Sequence, residues 1–207
     1  YVSGIKLETS APTAKGIFNA INTIYKFLTH EDLENSTIAI SGIGKVGSKL
    51  SKLLFEKKAK LIISNIRKDA IDQLREDKIL FTESDIDSIF EKQCDIISPC
   101  ALGSVINLEN RKKLKCKAIV GAANNQLDKP ETAVWLKENN IFYAPDYLVN
   151  SGGVIAISCE INNSEDTLDD ELNKISVKVL SLLQESQKSS LSTEKITEEL
   201  AWKRILS

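Results

Sequence analysis

The sequence predicts an α/β protein: a doubly wound, mostly parallel sheet with additional helices at its N- and C-terminal ends. Three observations predict it. Short β-branched runs alternate with helical stripes through the middle of the 207 residues, which is the pattern of βαβ units. One of these runs, Thr37-Ile38-Ala39-Ile40-Ser41, enters a loop with the spacing Gly-x-Gly-x-x-Gly and passes directly into a helical pattern. The chain then closes on apolar stripes of helical period with no strand after them.

Composition sets the bounds. Hydrophobic residues make up 42% and charged residues 27%, the balance of an ordinary globular protein. The length suffices for one sizeable core or two small ones; residues 1–207 are read as one domain, with a leading helix over 13–28, the sheet core over 37–160 and C-terminal helices over 165–207. A net charge of −2 lacks the basic excess of a nucleic-acid binder. No apolar run approaches the ~20 residues of a membrane span, and the first residues lack the pattern of a signal peptide. Neither nucleic acid nor membrane is expected as a partner. Cys94, Cys100, Cys116 and Cys159 are scattered without a Cys-x-x-Cys pair. They read as reduced thiols of a cytoplasmic protein, not as a disulfide frame or metal site. His30 reads as a surface loop residue.

The elements follow in order. Ala14, Ile17, Phe18, Ile21, Ile24, Tyr25 and Leu28 recur every three or four residues and predict the helix over 13–28, with Pro12 just before it. The strand over 37–41 comes next. Val46, Leu50, Leu53 and Leu54 then share one face of an amphipathic helix. Lys60-Leu61-Ile62-Ile63-Ser64 is a second strand. Residues 68–75 and 84–91 read as short helices around a strand over 79–81. Further strands are expected over 94–98, 117–120 and 141–143, with a helix over 131–139 and another opened by residues 149–154. Leu168, Leu172, Ile175, Val179 and Leu182 predict a long helix. Ser192 or Thr193 can cap a last one, with Ile196 and Leu200 on one side.

The glycine loop gives the core its meaning. Strand, glycine-rich turn and helix in immediate succession make the context of a dinucleotide-binding, Rossmann-type loop. Gly42 allows the tight turn, Gly44 lets backbone approach a pyrophosphate, and Gly47 lets helix and strand pack closely. Phosphates would sit at the helix start, where free N–H groups and the dipole favour an anion. Where a carboxylate usually holds the adenine ribose at the second strand's end, this chain has Asn65, followed by Arg67 and Lys68. The two cations either attract a 2′-phosphate or simply open the next helix as solvated residues. NAD is therefore the expected cofactor, with NADP possible. In a doubly wound sheet ligands bind beyond the carboxyl ends of the strands, where Gly42, Cys100, Asn124 and Asn150 fall.

Six blocks carry a resemblance. They are Pro12-Thr13-Ala14 with Gly16; Gly42 to Gly47; Asp95-Ile96 with Pro99-Cys100-Ala101-Leu102-Gly103; Ala123-Asn124-Asn125-Gln126-Leu127; Tyr143-Ala144-Pro145-Asp146-Tyr147; and Asn150 with Gly152-Gly153-Val154. In order and spacing the chain resembles the nucleotide-binding domain of the Glu/Leu/Phe/Val amino-acid dehydrogenases, the leucine branch most. Tyr1-Val2-Ser3-Gly4 resembles the segment where that family's first domain hands over to its second.

The resemblance implies reversible oxidative deamination of an L-amino acid to a 2-oxo acid and ammonia, with hydride transfer to a nicotinamide. It implies that Gly42, Ile43, Gly44, Lys45, Val46, Gly47 and Ser48 cradle the pyrophosphate. Asn65 lies by the adenine ribose, Ala101 and Leu102 near the adenosine ribose, and Ala123 and Asn124 near the nicotinamide ribose. Asn150 faces nicotinamide and substrate, and Thr13 helps fix the carboxamide. The asparagines alternatively satisfy turn backbone, and Thr13 alternatively caps the first helix. The family's catalytic lysine and aspartate belong to an N-terminal domain whose glycine-rich lysine motif does not occur in these residues. No catalytic residue is therefore assigned, the stretch alone is expected to be inactive, and the full-length protein is expected to be a homo-oligomer. A non-catalytic nucleotide-binding or regulatory module is the alternative.

Overall fold

The computed structural model describes residues 8–206; the Tyr1-Val2-Ser3-Gly4 match lies outside them. Helix α1 (Ser10–Thr29) precedes the sheet. There follow β1 (Thr37–Ser41), α2 (Lys45–Glu56), β2 (Lys60–Ser64), α3 (Lys68–Glu76), β3 (Thr82–Glu83) and β4 (Ile96–Pro99). The chain continues through β5 (Ala118–Ile119), α4 (Pro130–Glu138), β6 (Phe142–Tyr143), α5 (Asp146–Val149), α6 (Gly152–Ile161), α7 (Leu168–Lys188) and α8 (Thr193–Leu206).

The six strands are all parallel, in the order β3-β2-β1-β4-β5-β6. Both faces are covered, so the middles of the central strands are apolar and successive residues there serve opposite cores. Ile38 and Ile40 join one core with Ile17, Leu50 and Val179, whereas Ala39 joins the other with Ile89 and Leu136. Ile96 and Ile97 divide in the same way. On the larger core's side α1 packs along α7, and Asn19 Nδ2 donates to Asn173 Oδ1 at 3.2 Å across the contact. At the amino ends of the strands the Asp95 carboxylate accepts from the Thr37 N–H and from Lys117 Nζ, both at 2.8 Å. That one acid ties β1 to the segment entering β5.

Three local expectations are corrected. The strand expected over 79–81 lies at Thr82–Glu83. Left-handed Lys78 ends α3, and the Ile79 N–H turns back to the Leu74 carbonyl at 3.0 Å, so residues 79–81 lead out of the helix. No α-helix forms over 84–91. The Ser84 N–H extends the ladder to the Ile63 carbonyl at 2.8 Å, and only a single 3-10 turn, Ile89–Glu91, carries Ile89 and Phe90 into the core. In α8 Ile196 is buried but Leu200 is 48% exposed, so the two do not share a buried face. In addition α1 starts at Ser10 and takes Pro12 into its first turn, where no intrahelical acceptor is needed.

Candidate functional site

The sheet order reverses between β1 and β4, since β1 leads on to β2 on one side and β4 to β5 on the other. This is the switch point at which doubly wound sheets open a ligand crevice. Gly42 leaves β1 with a φ of +98°, and its N–H donates to the Ser64 carbonyl at 2.8 Å. A Cβ there would stand 2.5 Å from the Ala101 Cβ, so backbone and β4 exit touch. A Cβ on Gly47 would stand 2.1 Å from the Gly42 carbonyl oxygen, which brings α2 hard against the loop. Gly44 differs: it is exposed, its φ is −73°, and a Cβ would meet nothing within 4 Å. Neither packing nor backbone conformation requires glycine there.

Gly44 starts α2 with no side-chain cap. The Ser48 N–H bonds back to the Gly44 carbonyl and the Ser48 hydroxyl to the Ile43 carbonyl, both at 3.0 Å. The N–H groups of Lys45, Val46 and Gly47 find no acceptor among the described residues. Unsatisfied first-turn amides with the positive dipole end behind them form an anion cradle.

Asn65 sits against this loop. Its Oδ1 accepts from the Ile43 N–H at 3.1 Å and its Nδ2 donates to the Arg67 carbonyl at 2.9 Å. Arg67 pairs with Asp69, Nη2 to Oδ2 at 2.5 Å, and holds that carboxyl below its usual range. Lys68 is exposed at the first position of α3.

A second group forms beyond β5. The Ala123 N–H donates to the Pro99 carbonyl at 3.0 Å, and buried Gln126 donates to the Gly121 and Ala123 carbonyls at 2.9 Å each. Asn150 Nδ2 donates to Asn124 Oδ1 at 2.7 Å and reaches the Ala122 carbonyl at 3.2 Å. Thr13 Oγ1 donates to the Thr9 carbonyl at 2.8 Å. Cβ atoms on Gly152 and Gly153 would stand 2.2 Å from the Pro12 carbonyl oxygen and 2.9 Å from Thr13 Oγ1. The starts of α1 and α6 therefore touch, and Thr13 lies beside the loop that bears Asn150.

The exit of β4 links the two groups, the Cys100 N–H donating to the Ser41 carbonyl at 2.8 Å while Pro99 holds Ala123. Burial pushes the Cys100 thiol up, so it is a neutral packing group. Leu102 is 67% exposed at the rim, and the next residue, Gly103, packs on the Asn124 carbonyl. A cavity of about 930 Å³ lies behind the Asn124–Asn125 turn, lined by Asp146, Tyr147, Leu191 and Glu194, and does not include the glycine loop.

A family model described as Glutamate/Leucine/Phenylalanine/Valine dehydrogenase matches residues 4–66 and 63–205. The chain belongs to this family. The phenylalanine dehydrogenase of Thermoactinomyces intermedius is 36% identical over 207 residues, covering 98% of this chain and 56% of that protein. The leucine dehydrogenase of Bacillus subtilis (strain 168) is also 36% identical, over 99% of this chain and 58% of that protein. Equal identity to both leaves the leucine and phenylalanine branches undivided. The crystal structure of L-tryptophan dehydrogenase from Nostoc punctiforme superposes with a TM-score of 0.91 at 26% identity, over 97% of this chain and 62% of that one. The hetero-hexameric glutamate dehydrogenase from Thermus thermophilus shares the fold, with a TM-score of 0.72 at 14% identity. The chain spans a little over half the length of the curated relatives named here.

Two acids of this family member had no role in the sequence reading. Asp95 ties strands at the far end of the sheet. Asp146 is 8% exposed, with Oδ1 accepting from the Tyr143 hydroxyl at 3.2 Å and Oδ2 from the Asn125 N–H at 2.9 Å. The signal available was an acid directly before a buried strand for Asp95 and one opening the helix just after a buried strand for Asp146, where a carboxylate must find donors.

Proposed function

We propose that the chain binds NAD(P) in this crevice and forms the cofactor half of an amino-acid dehydrogenase that interconverts an L-amino acid with a 2-oxo acid and ammonia. The observation that carries this reading is Gly44: a glycine that neither packing nor conformation requires, beside the unpaired amides of Lys45, Val46 and Gly47. A closely approaching diphosphate explains both features. Those amides hold the anion, and Ser48 braces the loop from below. Ala101 and Leu102 line the adenosine side. Ala123, Asn124 and Asn150 line the nicotinamide side, with Thr13 reaching it from α1. When bound, the nicotinamide supplies the hydride acceptor; the acid–base groups are proposed to come from outside these residues, as the family resemblance implies. In the whole protein such subunits form a homo-oligomer.

NAD is the proposed cofactor over NADP. Both ends of the Asn65 amide are engaged, and Arg67 is engaged by Asp69. Fluorescence titration with NADH and NADPH tests the reading. Saturable NADH binding, about tenfold tighter than NADPH or a ~1.4 kcal/mol difference, is expected. Binding of neither at millimolar concentration overturns it.

A non-catalytic nucleotide module is the second reading, and Asn65 in place of a ribose-binding carboxylate favours it. Assays of the whole protein with leucine, valine, phenylalanine and glutamate separate the two. Turnover of any of these amino acids supports the dehydrogenase, with an aliphatic one expected to be best, whereas tight NADH binding with no turnover supports the module. Glutamate as best substrate removes the leucine-branch assignment.

A further inference from the structure

We propose that Asp146 is the positioning residue that sets the Asn124–Asn150 pair on the nicotinamide side of the crevice. The inference rests on the cofactor reading above and deepens it. The Asp146 side chain acts at one end of the pair, where its carboxylate accepts from the Asn125 N–H at 2.9 Å. At the other end the Asn150 N–H closes α5 on the residue-146 carbonyl at 2.8 Å, a backbone bond that every variant at 146 keeps. Asn125 has a φ of +51°, a left-handed conformation that asparagine tolerates better than most non-glycine residues, and the carboxylate bond holds its N–H in that turn. With Asn125 fixed, its neighbour Asn124 presents Oδ1 to Asn150 Nδ2 at 2.7 Å.

The carboxylate is itself immobilised. It is buried, and its other oxygen accepts from the Tyr143 hydroxyl at 3.2 Å. Tyr143 is 2% exposed, and burial pushes its phenol well above the ordinary range, so it stays a donor. An ionised carboxylate offers acceptors only, and each oxygen here meets one donor. The bond to the Asn125 N–H is charge-assisted, which makes it shorter and stronger than the bond an amide oxygen would make.

The test compares NADH with ADP-ribose, which shares the pyrophosphate and adenosine but lacks the nicotinamide. Affinities for both are measured by calorimetry on wild-type, Asp146→Asn and Asp146→Ala chains. The expected NADH affinities fall in that order, about threefold for Asp146→Asn and about thirtyfold for Asp146→Ala, while ADP-ribose stays within about twofold throughout. If Asp146→Ala does not fold, Asp146→Asn alone carries the comparison. Unchanged NADH affinity in the variants overturns the proposal. Parallel losses for both ligands also overturn it, because they mark a general structural role. Wild-type chain that binds neither ligand overturns the cofactor reading instead.

Discussion

Gly44 and Gly47 stand in one turn under opposite demands, and substitution separates them. A side chain on Gly44 enters open space at an allowed φ of −73°. Gly44→Val should therefore change the unfolding free energy read from urea titration by no more than about 0.5 kcal/mol, yet it fills the approach to the α2 amides and should weaken NADH binding at least about a hundredfold. Gly47→Ala places a methyl 2.1 Å from the Gly42 carbonyl oxygen, which is backbone and cannot swing aside. It should cost about 2 kcal/mol or more, read as a lower urea midpoint. Cys94 makes a different residue-scale statement: burial pushes its thiol up to about 12. The unfolded thiol ionises near pH 9 while the folded one keeps its proton. The folded state thus binds more protons between the two values, and stability falls as pH rises through that window, by about 1.4 kcal/mol per pH unit at most. Urea midpoints at pH 8, 9 and 10 should show this slope. Burial pushes the Cys100 and Cys116 thiols up as well, so Cys94→Ala should lessen the slope without removing it.

At the scale of elements, the contact of α1 with α7 and α6 holds the leading helix with Thr13 beside the start of α6. Gly16 is a close point towards α7: a Cβ there would stand 2.7 Å from Ile175 Cδ1 and 3.3 Å from the Val149 carbonyl oxygen at the end of α5. Gly16→Ala should cost about 1–3 kcal/mol by overpacking. Ile175→Val removes Cδ1, so the cost of Gly16→Ala should shrink by about 1 kcal/mol or more in that background. Additive costs in a urea double-mutant cycle would show that the Val149 carbonyl, not Ile175, limits the approach. Elements like these were legible because an apolar stripe of helical period has to be buried, and α1 and α7 are long enough to display one. The strands of the centre were legible as β-branched runs between turn residues. What failed was the sheet edge: β3 has two residues, both exposed, and the apolar pair Ile89 and Phe90 reaches the core from a single turn that mimics a helix over so short a span. The glycine spacing announced the loop. It did not announce that the Asn65 amide would be consumed by Ile43 and Arg67, because a hydrogen-bond partner across 22 positions leaves no local mark.

For the whole molecule, one crevice is assembled from segments remote in sequence: the β1 exit, the β4 exit, the turn after β5, the α5–α6 joint and the start of α1. The first four are tied in turn by hydrogen bonds, from Cys100 to Ser41, from Ala123 to Pro99 and from Asn150 to Ala122, and the start of α1 packs against Gly152. A ligand that spans the crevice touches several of them and binds only when all are in place, so it should stabilise the folded chain as a unit. At a free NADH concentration a hundred times the dissociation constant the gain is about 2.7 kcal/mol. For a domain of this length that corresponds to roughly 5–10 °C in Tm. Thermal unfolding followed at increasing NADH should show a rise that grows with the logarithm of concentration and keeps a single transition. The same titration of Gly44→Val should leave Tm flat, because the diphosphate can no longer reach the amides although the fold is intact. A rise of equal size in that variant would mean that NADH stabilises the chain from somewhere other than the glycine turn.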